Sequence, residues 1–352
     1  MNMLVDGEWR VDAYESTNED GEFDRSESSF RNWLDGGVPE AGAAPESSEF
    51  TPESGRYHLY ICRACPWAHR AAMVRQLRGL EDDISISLVQ PERYDQGWEF
   101  SAEHSDPLGD HEFLHEVYTD ADPEFTGRVT VPVLWDTQED TIVNNESSEI
   151  MRMLDTAFDG NDVSLYPADL REEIDETVEA IYEPINNGVY RAGFAGNQAA
   201  YDEAVEELFD ALDHWEDVLD GQRYLAGDGK RLTLADVAMF ATLVRFDHVY
   251  HTHFKCNRRA IHEYPNLWGY TKDLYQTGEP SGSPDRRTGG ATIRESAVAE
   301  TVNMDHITRH YYVSHGDLNP KRLVPTGPDI DFTEPHNRDE LPGTPPATLV
   351  GQ

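Results

Sequence analysis

Residues Tyr57 to Arg70 read Tyr-His-Leu-Tyr-Ile-Cys-Arg-Ala-Cys-Pro-Trp-Ala-His-Arg and bring a thiol to the junction of two elements. Leu59 and Ile61 alternate as on a half-buried strand, while Pro66 at the start and Gly79 past the end of the next run give a helix its usual polarity. Cys65 then falls at a helix N-terminus, where unpaired backbone N–H groups and the positive dipole end favour thiolate over thiol. The chemistry this allows is nucleophilic attack. Packing is the default role of a free cysteine, but the order strand, Cys, Pro, aromatic, helix argues for a working thiol. Cys62 stands in Cys-x-x-Cys spacing with Cys65, yet on the strand side, and reads as a packing residue or an occasional resolving thiol.

Two histidine groups carry metal-ligand residue types: His248, His251, His253 and Cys256, and the pair His306 and His310 at helical i, i+4 spacing. Neither comes with a His-Glu-x-x-His motif or paired Cys-x-x-Cys units, so no metal is expected.

The elements that must position Cys65 follow from the pattern around it. Residues 1–50 form a polar extension with one apolar island, Phe23 to Leu34, expected to dock as a lid or brace. A second strand is expected at Ile84, Ile86 and Leu88, then a long insertion over 91–128 that holds Trp98 and Phe100. Val131 to Trp135 and Thr141 to Val143 read as a hairpin, with Pro132 tolerated because it stands at the strand's beginning. Asn145 to Glu149 opens a helix whose apolar face is Ile150, Met153 and Leu154. From 170 to 276 the periodicity is helical throughout, and Thr233-Leu-Ala-Asp236 has capping-box spacing. The expected organisation is an extension over 1–50, an α/β domain over 51–157, an all-helical domain over 165–290 and a C-terminal extension over 291–352 that packs near the active site.

Composition bounds the setting. Of 352 residues, 68 are acidic and 28 basic, a formal net charge of −40, and only four of the basic residues are lysines, at 230, 255, 272 and 321. Such a chain repels itself in dilute buffer and is screened in molar salt, where the Debye length is about 3 Å. That is the composition of a halophilic protein, and it makes nucleic acid and anionic membrane poor partners. No apolar run approaches the roughly 18 residues of a spanning helix and no signal peptide is seen. Three cysteines make no disulfide framework, so a reducing, cytoplasmic compartment is expected.

Taken in order, the motifs resemble the glutathione transferase superfamily, and specifically its Xi class, the glutathionyl-hydroquinone reductases. Cys65-Pro-Trp-Ala-His69 is similar to the class's nucleophile motif, Gly127-Arg128-Val-Thr-Val-Pro132-Val-Leu-Trp-Asp136 to its cis-proline segment, and Asn144-Asn-Glu146-Ser147-Ser-Glu149 to its γ-glutamyl site. Asn187-Gly-Val-Tyr190 and His310-Tyr311-Tyr312-Val-Ser-His315 continue the resemblance toward the C-terminus, and Cys62 is the visible departure from it.

The resemblance implies a thioredoxin-like domain followed by an all-helical glutathione-transferase domain, in a homodimer. Ala68 stands where a dithiol enzyme of thioredoxin type would carry its second cysteine. It implies thiol-dependent reduction of S-glutathionyl hydroquinones through a mixed disulfide on Cys65, with Tyr190, Tyr311 and Tyr250 as the phenols that assist protonation of the leaving carbon. Val131 would pair its main chain with the cysteinyl residue of the thiol, Glu146 and Ser147 would take the γ-glutamyl end, and Arg128 and Trp98 the remainder. The thiol cosubstrate would be glutathione or γ-glutamylcysteine, the smaller molecule being suggested by the halophilic composition. His310 and Tyr311 would line the quinone pocket. Two alternatives share the Cys65 chemistry, a glutaredoxin-like deglutathionylase and a dehalogenating transferase; a third is a non-catalytic ligand-binding member of the superfamily.

Overall fold

The computed structural model describes residues 2–14, 17–18, 20–23, 28–39, 48–278, 296–343 and 345. Residues 24–27 of the Phe23 to Leu34 island, and the boundary expected at 290 and 291 between helical domain and C-terminal extension, lie outside the described residues.

The chain opens with a small hairpin of β1 (Met3–Val5) and β2 (Glu8–Arg10) that the sequence reading passed over. Its turn is Asp6-Gly7, both at positive φ, the dipeptide best suited to a tight hairpin. The main sheet contains β3 (Tyr57–Ile61), β4 (Ile84–Leu88), β5 (Val133–Asp136) and β6 (Thr141–Asn144) in the order β4-β3-β5-β6. β3 runs parallel to β4 and antiparallel to β5, and β6 is antiparallel to β5, the mixed sheet of a thioredoxin-like domain. Between β3 and β4 lies α1 (Pro66–Leu77), between β4 and β5 lies α2 (Leu114–Ala121), and α3 (Ser147–Thr156) follows β6.

Two expectations shift here. β3 is buried at all five positions instead of on one face, because the insertion folds over the side that α1 leaves open: Tyr60 donates to Asp106 Oδ1 at 3.0 Å and packs its ring against Phe100. The insertion is also less irregular than expected, since α2 forms inside it, with Glu116 reaching back to the N–H of Phe113 at 2.9 Å. The described part of the island acts as a brace. Asn32 N–H pairs with Val143 O at 3.0 Å and Phe30 stacks on Phe125 at 5.3 Å, so the outer edge of β6 is covered.

The helical half comprises α4 (Arg171–Ile181), α5 (Gly188–Gly193), α6 (Gln198–Gly221), α7 (Leu234–Arg245) and α8 (Pro265–Tyr275). π-helical turns at Tyr182–Asn186 and Phe246–Tyr250 extend α4 and α7. Thr233 caps α7 as its spacing predicts: Asp236 Oδ2 accepts from the Thr233 N–H at 2.8 Å and from its hydroxyl at 3.0 Å. Two C-terminal helices, α9 (Ala297–Thr301) and α10 (Met304–Ser314), return to the first domain, α9 onto α1 and α10 onto the start of the insertion.

Candidate active site

Cys65 is the N-cap of α1, with extended backbone (φ −73°, ψ 122°) and Pro66 as the first helical residue. Its backbone N–H is donated to Cys62 O at 3.0 Å, closing the turn that lifts the sulfur off the sheet. The thiol points at the Val131 carbonyl, 3.6 Å away, and the Val131–Pro132 peptide is cis. Cys65 is 9% exposed and forms part of a cavity of about 630 Å³. Cys62, three residues earlier, is fully enclosed; its thiol faces Gln90 O at 3.8 Å, and burial pushes it up to about 12. At neutral pH Cys62 is a thiol and no nucleophile.

The loop before Cys65 rests on Arg245, the last residue of α7. Its guanidinium is completely buried and donates to Ala64 O at 2.9 Å, Arg63 O at 3.0 Å and Ala241 O at 2.7 Å, with its remaining bond to His69 Nδ1 at 2.9 Å. The other nitrogen of His69 lies 2.7 Å from the Thr301 hydroxyl, which itself donates to Val298 O at 2.6 Å. These bonds leave one consistent arrangement: Arg245 donates to Nδ1, and a neutral His69 donates from Nε2. Burial and the adjacent Arg245 accordingly hold His69 well below the ordinary histidine range. Three elements distant in sequence thus fix one turn.

Aromatic residues make the far wall. The hydroxyls of Tyr190 and Tyr311 are 2.5 Å apart, and that of Tyr250 is 3.0 Å from Tyr311. Tyr190 and Tyr311 line the cavity with Cys65, whereas Tyr250 is fully buried behind Tyr311 and does not reach it. Burial raises all three phenols above the usual tyrosine value, assisted at Tyr190 by Tyr250 and Cys65, so all three keep their protons at neutral pH. Arg245 acts in the opposite sense on Tyr250 and Tyr311 and favours a transient phenolate there. Trp98, buried, stacks on His310 at 5.1 Å, and His310 Nδ1 lies 2.7 Å from Pro91 O, which places the proton on that nitrogen. Burial pushes His310 down to about 3, so it is neutral.

A second, smaller chamber adjoins this cavity and shares Trp67, Arg128, Thr130 and Val131 with it. Ser28, Ser29, Pro132, Asn145, Glu146 and Ser147 complete it. Glu146 is the N-cap of α3: one carboxylate oxygen accepts from the Ser148 N–H at 3.2 Å, the other from the Ser28 hydroxyl at 2.9 Å. Arg128 lies over the Tyr14 ring at 6.0 Å. Cys65, Trp98, Arg128, Val131, Tyr190 and Tyr311 therefore border one cavity, Glu146 and Ser147 border the chamber beside it, and Tyr250 stands behind. Among the described residues no group of three or more His, Cys, Asp or Glu is placed to hold a metal ion.

Several contributors were not foreseen. Asp12, Tyr14 and Thr17 from the N-terminal extension form part of the cavity wall, as do Arg93 and Phe194, while Phe23, which also lines it, belongs to the island expected to dock as a lid or brace. For Arg93 a signal was available: the 91–128 insertion carries eleven carboxylates and just two arginines, Arg93 and Arg128, and both reach the cavity. For Arg245 there was none, since nothing local distinguishes a cation at the end of an apolar helix from a surface residue.

A mixed four-stranded sheet with a cysteine at the first helix and a cis-proline opposite, joined to a helical domain that closes the site, is a cysteine-type thiol-transferase architecture. Comparison with known proteins agrees. Residues 64–157 match the glutathione S-transferase N-terminal domain and residues 198–273 the glutathione S-transferase C-terminal domain. The chain is 45% identical to glutathionyl-hydroquinone reductase YqjG of Escherichia coli (strain K12), covering 96% of this chain and 99% of that protein. It is 46% identical to glutathionyl-hydroquinone reductase PcpF of Sphingobium chlorophenolicum, covering 93% and 96%. Among solved structures, a Xi class glutathione transferase from Natrialba magadii superposes with a TM-score of 0.83 at 54% identity over 98% of both chains, and the glutathione-bound structure of YqjG with 0.81 at 44% over 96% and 99%. The chain belongs to the glutathione transferase superfamily and, within it, to the Xi class.

Proposed function

We propose that the protein is a glutathionyl-hydroquinone reductase. The observation that carries this reading is the sharing of one cavity by a helix-capping thiol and two hydrogen-bonded neutral phenols. The Cys65 thiolate attacks the sulfur of an S-glutathionyl hydroquinone; the sulfur–sulfur bond forms as the sulfur–carbon bond breaks, and the departing aromatic carbon takes a proton. Tyr190 or Tyr311 supplies that proton, with Tyr250 buttressing Tyr311 and Arg245 easing the brief negative charge. A second thiol then attacks the Cys65 mixed disulfide, releasing the oxidised disulfide and restoring the cysteine. Disulfide exchange alone would need no such acid. Mass spectrometry of protein mixed with a glutathionyl-hydroquinone tests the first step: an adduct of one glutathione on Cys65 is expected, and an adduct elsewhere or none refutes it.

The thiol is held, in this reading, by Val131 main chain at its cysteinyl residue, by Glu146 and Ser147 at its γ-glutamyl ammonium and carboxylate, and by Arg128 and Trp98 along the remainder. YqjG has been solved with glutathione bound, which supports a γ-glutamyl thiol here; glutathione and γ-glutamylcysteine are the two candidates. The net charge of −40 supports a cytoplasm of high salt, and the class likeness supports a homodimer. No helix of the described residues is long and apolar enough to cross a membrane.

A further inference from the structure

In a chain this acidic, arginines find carboxylates: Arg56 holds Asp136, Arg152 holds Asp175, Arg223 holds Asp273 and Arg309 holds Glu92. Arg93 does not. It lines the large cavity, yet among the described residues its guanidinium makes no hydrogen bond and no ion pair, and it lies over the face of Trp98, 5.5 Å from the ring centroid. Half-buried in the wall of the cavity, its five donors stand without a protein acceptor and are open to an anion that enters. Nor is the position loose. The Arg93 N–H is donated to Ser314 Oγ at 2.9 Å, Glu92 binds Arg309, and Pro91 O receives His310. The loop is clamped to α10 with the guanidinium presented to the cavity, which is the condition for reading an anionic ligand.

The two chambers say which part of a ligand arrives there. A γ-glutamyl thiol held at Val131 by its cysteinyl residue has two ends, and Val131 borders both chambers. The γ-glutamyl end takes the smaller one, toward Glu146 and Ser147. In this reading the other end, a carboxylate, enters the larger one, where Arg93 stands with Trp98 and Arg128. We propose that Arg93 is the receptor for the C-terminal carboxylate of the bound thiol, the glycyl carboxylate of glutathione or the cysteinyl carboxylate of γ-glutamylcysteine. An arginine fork suits a carboxylate bidentately. The assignment rests on the thiol reading given above.

Binding, measured without turnover, tests it. Titration calorimetry of the full chain in high-salt buffer would use S-methylglutathione, its glycyl ethyl ester and S-methyl-γ-glutamylcysteine. Arg93→Leu is expected to weaken at least one of the two free acids tenfold or more, while the ester, which keeps the shape and lacks the charge, stays within twofold of its wild-type affinity. The acid that suffers identifies the carboxylate. Retained ester binding also shows that the variant is folded. An equal loss with the ester, or a loss under threefold with both acids, overturns the assignment. If the wild-type protein binds none of the three, the thiol reading itself falls, and the assignment with it.

Discussion

Cys62 and Cys65 are separated by two residues and differ in everything that decides reactivity. One follows directly on a strand, is fully enclosed, and is held as a thiol by burial; the other caps a helix, points at a carbonyl across the site, and borders a cavity. The turn between them, closed by the Cys65 N–H to Cys62 O bond and underpinned by Arg245, sets one sulfur of a dithiol-like spacing at the cavity and encloses the other. Cysteine spacing alone does not define redox chemistry. The direction in which the chain leaves the sheet does.

The sharpest way to break this comparison is to delete each sulfur. Cys65→Ser is expected to abolish hydroquinone reduction, and Cys62→Ser to keep kcat within a few-fold of wild type; comparable losses would establish a dithiol mechanism. Next in size are the phenols facing Cys65. Tyr190→Phe and Tyr311→Phe should each lower hydroquinone reduction by about 10²-fold, the range of general acid catalysis, while simple disulfide exchange with a glutathionylated probe is spared. Equal losses in both assays would mean a damaged thiol site instead of a missing acid. Tyr250→Phe should cost less than either, because Tyr250 stands behind Tyr311 and is not among the residues lining the cavity.

Alkaline titration separates the two sulfurs without catalysis. The folded value for Cys62 is raised to about 12, above that of an unfolded thiol near 8.5. Its stabilising contribution is therefore complete below about pH 8.5 and is lost as pH rises toward 12, because the unfolded chain releases the proton first. Wild type should lose more melting temperature between pH 8 and pH 10.5 than Cys62→Ala does, and iodoacetamide at pH 8 should label Cys65 in native protein while Cys62 reacts only after unfolding. Identical alkaline slopes would remove the enclosed-thiol account. The smallest effect on the site, though not on the whole chain, is salt: the melting temperature should climb with KCl into the molar range, and a flat curve down to about 0.1 M would contradict the halophile reading.

How much of this was readable from the chain depends on how local each feature is. The strand, Cys65, Pro66 and the helix behind them form one contiguous signal, as does Thr233 with Asp236, and each appears as its residues predict, whereas the strand expected from Val131 begins at Val133 and the cis bond at Pro132 was reached through family likeness. The Tyr190, Tyr250 and Tyr311 cluster is drawn from three separated segments, and it was reached through family likeness instead of periodicity. What stayed hidden is the content of long-range packing. β3 alternates like a half-exposed strand, but a covering insertion overrides the pattern. Arg245 looks like an ordinary helix-ending cation until the Cys65 turn is laid on top of it. The β1 and β2 hairpin was legible after all in Asp6-Gly7, and lost only because its strands are three residues long.

The return of α9 and α10 to the first domain has a consequence in time. The nucleophile, the cis-proline and the α3 cap all lie before residue 150, whereas Tyr311 and the Thr301 partner of His69 follow about 150 residues later. A growing chain on the ribosome therefore carries Cys65 and the chamber beside it long before it carries Tyr311, whose hydroxyl joins those of Tyr190 and Tyr250. Until α10 is synthesised and docks against Pro91 and Glu92, Tyr190 lacks its hydroxyl partner and the proposed proton-donating pair is incomplete.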